Sequence, residues 1–406
     1  MSRTIDVAYG TGWDAGSVLG PIGPEEAAAR DAAGQPYVVV LRQPGSAEAV
    51  VAQVARARNY LGTAVYDARG RRFLEVDLRQ LDADRLFLRR RSAWAYPDDL
   101  APEFAPDAGR VTVSLWPDGR GSEVVEPQGD KGGARHTTAK VPDEQRWFEV
   151  PRFGCWERLF APLGIEGADR VELREITDVP RGGTVEPNWR APEGMRPRHL
   201  TELFVPGTRF SSPDGEYTVR EPIEAGTLLL PSGRLVAKDP TYGAGDEAAG
   251  FTATVAPGSY RVQIARAAAR FEEYVAARVL VSGRPAVRWE AALLDGQDER
   301  LLGEGEFYGF GVDAGTAAFT DATAAPDLGR RYWDGLVAGT QEEDVHGVAV
   351  VDDPAHGTNL VAYPSGRGDG SYPVWVGRDR EGEVTCFVAD MLILHRAEPS
   401  TAQALT

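Results

Sequence analysis

Five aspartates in the second half of the chain, Asp239, Asp313, Asp321, Asp369 and Asp390, each stand beside glycine, proline or the end of an apolar run. Turns of that composition leave a carboxylate projecting from a strand end, where a ligand can meet it. Carboxylates gathered at one end of a β fold have two chemistries open to them. They can hold a hard cation such as calcium or magnesium, or divide into a general acid and a general base when their surroundings separate their pKa values. On that reading Asp313, Asp321 and Asp369 are the metal ligands, and Asp390 joins them in a hydrolase or lyase site. The competing reading is structural, because aspartate caps turns by accepting hydrogen bonds from N–H groups two residues on. It is the stronger one for Asp239, which precedes Pro240. The two readings balance for Asp313 and Asp369, whose neighbouring glycines let a ligand approach the backbone.

Thr316, Arg367 and Tyr372 lie in the same segments and complete the set of ligand-binding candidates. Other chemistries fail on spacing. Val312-Asp313-Ala314-Gly315-Thr316 mimics the first phosphate loop of actin-like and sugar kinases, but that loop opens their fold and only about 90 residues follow it here. Arg367-Gly368-Asp369 spells an adhesion tripeptide in a chain with no export signal. No GxGxxG, Walker loop or HExxH occurs. The histidines, His136, His199, His346, His356 and His395, are scattered, and none pairs with another at helical ligand spacing. Ser259, Ser365 and Ser371 have no recognisable His–Asp arrangement around them. Trp94, Trp116, Trp147 and Trp156 read as core aromatics of the first half.

The 406 residues, 42% of them apolar, exceed one ordinary core and can build two without metals or disulfides. Two cysteines, Cys155 and Cys386, support neither a disulfide framework nor a cysteine zinc site. The start, Met1-Ser2-Arg3-Thr4-Ile5-Asp6, lacks a basic segment followed by an apolar one, and no run of 18 apolar residues exists. A cytoplasmic protein with no membrane association and no cofactor is therefore expected, calcium or magnesium being the alternative. The formal charge of −17 is uneven: residues 221–406 hold 28 acidic and 15 basic side chains, residues 1–220 hold 33 and 29. So acidic a second half is unsuited to nucleic acid, whose binding rests on Lys and Arg displacing counterions, and it suits a basic protein partner or a cation.

Composition divides the chain into a loosely structured arm (1–35), an α+β domain (36–180), a Pro/Gly-rich linker (181–222) and a mainly-β domain (223–396). Within the arm, Pro24 to Ala33 is helical by pattern. In the α+β domain a helix from Ala47 to Tyr60 is expected, with Val50, Val51 and Val54 on one stripe, against strands at Tyr37–Leu41, Thr63–Asp67, Phe73–Leu78, Leu86–Arg90, Arg110–Trp116 and Glu123–Glu126. After residue 223 short strands bounded by turns predict a sandwich or partly closed barrel. Gly258-Ser259-Tyr260-Arg261-Val262 and Gly370-Ser371-Tyr372-Pro373-Val374 echo one another as entries to strands.

Lys238-Asp239-Pro240, Val287-Arg288-Trp289-Glu290, Gly296-Gln297-Asp298, Gly311 to Thr316, Asp321, Ser365 to Val374 and Asp390 together resemble the bacterial domain-of-unknown-function family 4241 across about 221–395. Where that family's Ser-Gly-x-Gly-Asp-Gly pattern is expected to carry an aromatic residue, Arg367 stands here, which implies a different ligand for that surface. The resemblance brings no established chemistry. The absence of a nucleophile or cofactor motif, with the charge asymmetry, predicts a soluble binding protein, an immunity or accessory factor meeting a basic protein. The alternative is the divalent-metal-dependent hydrolase or lyase described above.

Overall fold

The computed structural model describes residues 3–14, 16–165, 170–177, 186–241 and 249–400. The chain divides into two compact units, Met1–Glu193 and Gly194–Thr406. Both are mostly β.

The first unit holds β1 (Arg3–Asp14), β2 (Ser17–Ile22), β3 (Tyr37–Arg42), β4 (Ala49–Ala55), β5 (Tyr60–Tyr66), β6 (Arg72–Gln80), β7 (Arg85–Ala95), β8 (Gly109–Leu115), β9 (Arg120–Glu126), β10 (Arg135–Lys140), β11 (Trp147–Glu149) and β12 (Val171–Glu175), with helices α1 (Pro24–Ala32) and α2 (Phe160–Leu163). They form one 12-stranded sheet in which β3 to β10 run as an unbroken antiparallel meander and β1 continues it beyond β3. The expected α+β module is thus corrected to a strand-rich one. The helix expected from Ala47 to Tyr60 is β4, a 3-10 turn and β5, because Val50, Val51 and Val54 are β-branched and are buried on both faces of the sheet rather than on one helical stripe. The expected loose arm is likewise ordered: Ile5, Val7 and Tyr9 alternate inward along β1, whose Asp6 to Gly10 pair with Arg42 to Val38. The helical pattern at its end is α1.

The second unit adds β13 (Arg209–Ser212), β14 (Gly215–Val219), β15 (Ile223–Leu230), β16 (Leu235–Lys238), β17 (Gly258–Ala268), β18 (Glu272–Leu280), β19 (Arg288–Ala291), β20 (Gly309–Val312), β21 (Thr316–Asp321), α3 (Ala325–Ala338), β22 (Ala349–Asp353), β23 (Thr358–Pro364), β24 (Gly370–Arg378), β25 (Val384–Asp390) and β26 (Glu398–Pro399). Ten strands make one sheet, in which β19 and β20 both pair with β24; β16-β21-β23-β22 make a second. Their shared core includes Leu228, Leu235, Val262, Phe319, Val361, Tyr363, Val374 and Phe387, all nearly free of solvent. Each such side chain contributes about 1.5–3 kcal/mol by leaving water. The unit begins inside the stretch expected to be a linker, yet that stretch also supplies β13 and β14, and Phe210, Tyr217 and Val219 are buried in a second cluster of the same unit. Helix α3 was not foreseen; it lays Leu328 and Tyr332 over Ala318, Leu360 and Ala362 of the smaller sheet. No helix among the described residues is long and apolar enough to cross a membrane.

Candidate functional site

Strand β16 ends at Lys238 and the chain turns at once through Asp239-Pro240-Thr241. Asp239 is buried there, and both of its oxygens are occupied. One accepts from the backbone N–H and the hydroxyl of Thr241, at 2.7 and 2.6 Å. The other accepts from the backbone N–H groups of Asp313 and Ala314, at 2.8 and 3.1 Å. Asp239 is therefore a clamp that fixes the turn between β20 and β21. Asp321, at the far end of β21, repeats the device. It accepts from the N–H and hydroxyl of Thr323, at 2.9 and 2.6 Å, and from the N–H and hydroxyl of Ser232, at 2.9 and 2.7 Å.

The strand also keeps Asp321 away from the other proposed ligands. Lys238 pairs with Ala318 and Leu235 with Asp321, so Asp321 lies at the opposite end of these strands from the turn that holds Asp313. At about 3.3 Å per residue, the run of β21 between them spans well over 10 Å, against about 2.3–2.6 Å for each oxygen on a shared calcium. The expected set of Asp313, Asp321 and Asp369 is accordingly not a single metal site. Among the described residues no group of three His, Cys, Asp or Glu side chains is placed to hold a metal ion. His356 instead meets Asp353 at 2.8 Å, and Asp344 accepts from the N–H groups of His346 and Val348.

Asp313 and Asp369 do come together. The Gly315 N–H, at a residue whose φ of 66° glycine adopts without strain, donates to the Asp369 carboxylate at 3.1 Å. Both aspartates are exposed, and the Asp313 carboxylate makes no hydrogen bond among the described residues. They stand on the rim of a cavity of about 780 Å³ whose apolar wall is Phe251, Leu294, Phe310 and Val374. Ala237 of β16 and Gly309 to Val312 of β20 line it too. Volume and lining match what small ligands and peptide segments occupy: apolar surface with a few polar groups at the mouth. Lys238 belongs to the lining as well, while Asp313 and Asp369 form no ion pair among the described residues and favour a cationic ligand.

The remaining candidates serve the frame. Thr316 opens β21, and its hydroxyl meets Tyr332 of α3. Tyr372 is buried under the 365–369 loop and donates to the Gly368 carbonyl at 2.7 Å; burial pushes its phenol up from the usual range. Tyr260, its counterpart in the sequence echo, likewise donates to the carbonyl four residues back, that of Ala256. The echo is thus one turn device used at the starts of both β17 and β24. Arg367 is spent within the unit, on Asp214 at 2.9 Å, Glu273 at 3.0 Å and the Tyr217 hydroxyl at 3.1 Å, and the Glu273 bond raises its already high pKa. Asp390 is buried at the end of β25, with one oxygen on the Leu392 N–H at 2.8 Å and the other 3.8 Å from His395 Nδ1.

Other hollows of comparable size lie in the first unit. In the first unit a hollow of about 590 Å³ is lined by Arg69, Arg71 and Arg72, but these pair with Asp99, Asp67 and Glu75. A groove of about 520 Å³ beside β10 contains His136, whose Nε2 lies 2.8 Å from the Ser122 hydroxyl. No acidic partner of that histidine is found among the described residues. Sequence reading missed Phe251, Leu294 and Phe310 as site residues, since an apolar residue facing a cavity looks the same in sequence as one facing a core.

The C-terminal unit is therefore a mostly-β body with an apolar cavity that carries two exposed carboxylates at its mouth and is braced by a buried aspartate. Residues 228–389, which include most of that lining, match the model of a family described as a protein of unknown function (DUF4241). No curated protein and no solved structure matches the chain.

Proposed function

We propose that this is a soluble binding protein of bacterial type, an immunity or accessory factor whose acidic C-terminal unit meets a basic protein partner. The observation that carries this reading is the division of labour among the aspartates. Asp239 and Asp321 are saturated by backbone and hydroxyl donors, whereas Asp313 and Asp369 remain exposed at the mouth of one cavity. That leaves recognition, rather than acid–base chemistry on a carboxylate cluster, as the use of the exposed pair. The excess of 28 acidic over 15 basic side chains in residues 221–406 adds a field that draws a basic partner in at long range.

The full chain, immobilised and exposed to extract of its source cells, should retain a basic protein at low salt and release it as salt rises. The loss should appear mainly as slower association, because attraction between separated charges is screened over about 8–10 Å at physiological ionic strength. Recovery of no basic protein at either salt would overturn the reading.

A further inference from the structure

Strand β20 pairs with β24 on one side and with no described strand on the other, where β16 approaches it without pairing, so alternate N–H and C=O groups of Gly309 to Val312 lack a strand partner beside the cavity. Strand β16 ends its own four-stranded sheet, and its Ala237 lines the same cavity. Gly311 leaves the backbone bare, for a Cβ placed on it would meet nothing within 4 Å. Two strand margins, an apolar wall and two exposed carboxylates therefore converge on one space.

We propose that an extended peptide segment of the basic partner occupies this cavity, adding as a strand to the free edge of β20 and placing an arginine or lysine side chain against Asp313 and Asp369. The proposal rests on the partner reading above and specifies its contact. Strand addition supplies main-chain hydrogen bonds independent of sequence, and side chains alternate between the two faces of the added strand. One face meets Phe251, Leu294 and Phe310. A volume of about 780 Å³ holds several residues, more than one basic side chain alone requires. The two carboxylates outnumber Lys238, the one cation among the described lining residues, and select the sign: Asp313 has no counter-ion among the described residues, and Asp369 receives only the Gly315 N–H. A segment with an acidic residue at that position would be repelled, which gives the site specificity as well as affinity.

The test uses the full chain and a library of fluorescent hexapeptides with arginine fixed at the third position, set against the same library carrying citrulline, which keeps the shape and removes the charge. Enrichment from the arginine library and about a tenfold weaker binding of the citrulline form of the best peptide are expected. N-methylation at alternate residues should abolish binding in one phase and spare it in the other, as a strand ladder requires. Asp313→Asn, at a side chain the fold does not use, should weaken binding about fivefold to tenfold with an unchanged melting midpoint. Equal retention of both libraries, insensitivity to N-methylation, or competition by acetyl-arginine amide at the affinity of the peptide would each overturn the proposal. Salt-sensitive capture of a basic protein without peptide binding would refute strand addition and keep the partner reading. Peptide binding without any captured partner would do the reverse.

Discussion

Asp321 and Asp313 belong to one expected metal set, and the structure predicts opposite consequences for replacing them with asparagine. Asp321 is fully buried and accepts four hydrogen bonds, two from Ser232 and two from Thr323. Asparagine keeps the shape but turns one accepting oxygen into a donating amide. The Ser232 or Thr323 hydroxyl can rotate to accept from it, yet one backbone N–H is left facing a donor. Bonds to a charged acceptor are worth about 1.5–3 kcal/mol each and an orphaned buried donor costs about 1–3 kcal/mol, so a net loss near 3 kcal/mol is expected after relaxation. For a unit of this size each kcal/mol lowers the midpoint by about 2–4 °C, which puts Asp321→Asn about 6–12 °C below the parent. Asp313→Asn, exposed and unbonded, should stay within about 0.5 kcal/mol of the parent. Calorimetry on the full chain, with the transition of the second unit assigned from a 194–406 fragment, reads both values. If Asp321→Asn melts with the parent, or Asp313→Asn falls as far as Asp321→Asn, the assignment of one carboxylate to the frame and the other to recognition is wrong.

Three further outcomes follow from the same geometry. The fragment 194–406 should show its own cooperative thermal transition, because its buried clusters are complete within it; a fragment that melts without cooperativity would mean that the units share a core. Arg367→Ala should cost about 1 kcal/mol or less in urea unfolding, since Arg367 is half exposed and its ion pairs are screened, and should leave peptide binding unchanged. Burial, and then Glu343, push the Tyr332 phenol up to about 12 from its ordinary 10.0, so the folded state holds that proton more tightly than the unfolded chain. Its stabilisation is full below pH 10 and is lost as pH rises toward about 12; Tyr332→Phe should remove that part of the alkaline decline, and an unchanged decline in urea midpoint would refute it.

Strands of the second half were legible because short β-branched runs alternate with Gly, Pro and Asp turns, and β15, β17, β18, β23, β24 and β25 lie where those runs lie. The first half misled at two places. Ala47 to Tyr60 contains valines that fit a helical stripe as well as a doubly buried strand, and only the neighbours β3 and β5 decide between them. Residues 3–14 carry the alternation Ile5, Val7, Tyr9, but glycines at 10 and 12 suggest a loop. Gly10 has a different purpose, since a Cβ there would lie 2.6 Å from the Leu19 carbonyl of paired β2, so close strand approach excludes a side chain. Helix α3 escaped notice because its face toward the sheet is small and its other face carries Trp333, Leu336 and Val337 in partial exposure, which blurs the apolar stripe.

The division among the aspartates had a local signal. Asp239-Pro240-Thr241 and Asp321-Ala322-Thr323 share an Asp-x-Thr pattern, in which one carboxylate oxygen captures both the N–H and the hydroxyl of the threonine two residues on. Asp313 and Asp369 are followed at that position by Gly315 and Ser371 and make no such turn. The second half of each clamp was not legible: the donors from Asp313, Ala314 and Ser232 lie 74 to 89 residues away in the chain and meet the carboxylates only once β16 has paired with β21. Local pattern thus marks which aspartates begin a turn, and sheet pairing determines that their remaining valence closes on the backbone. Asp313 and Asp369, which begin no such turn, are the two whose charge faces the cavity.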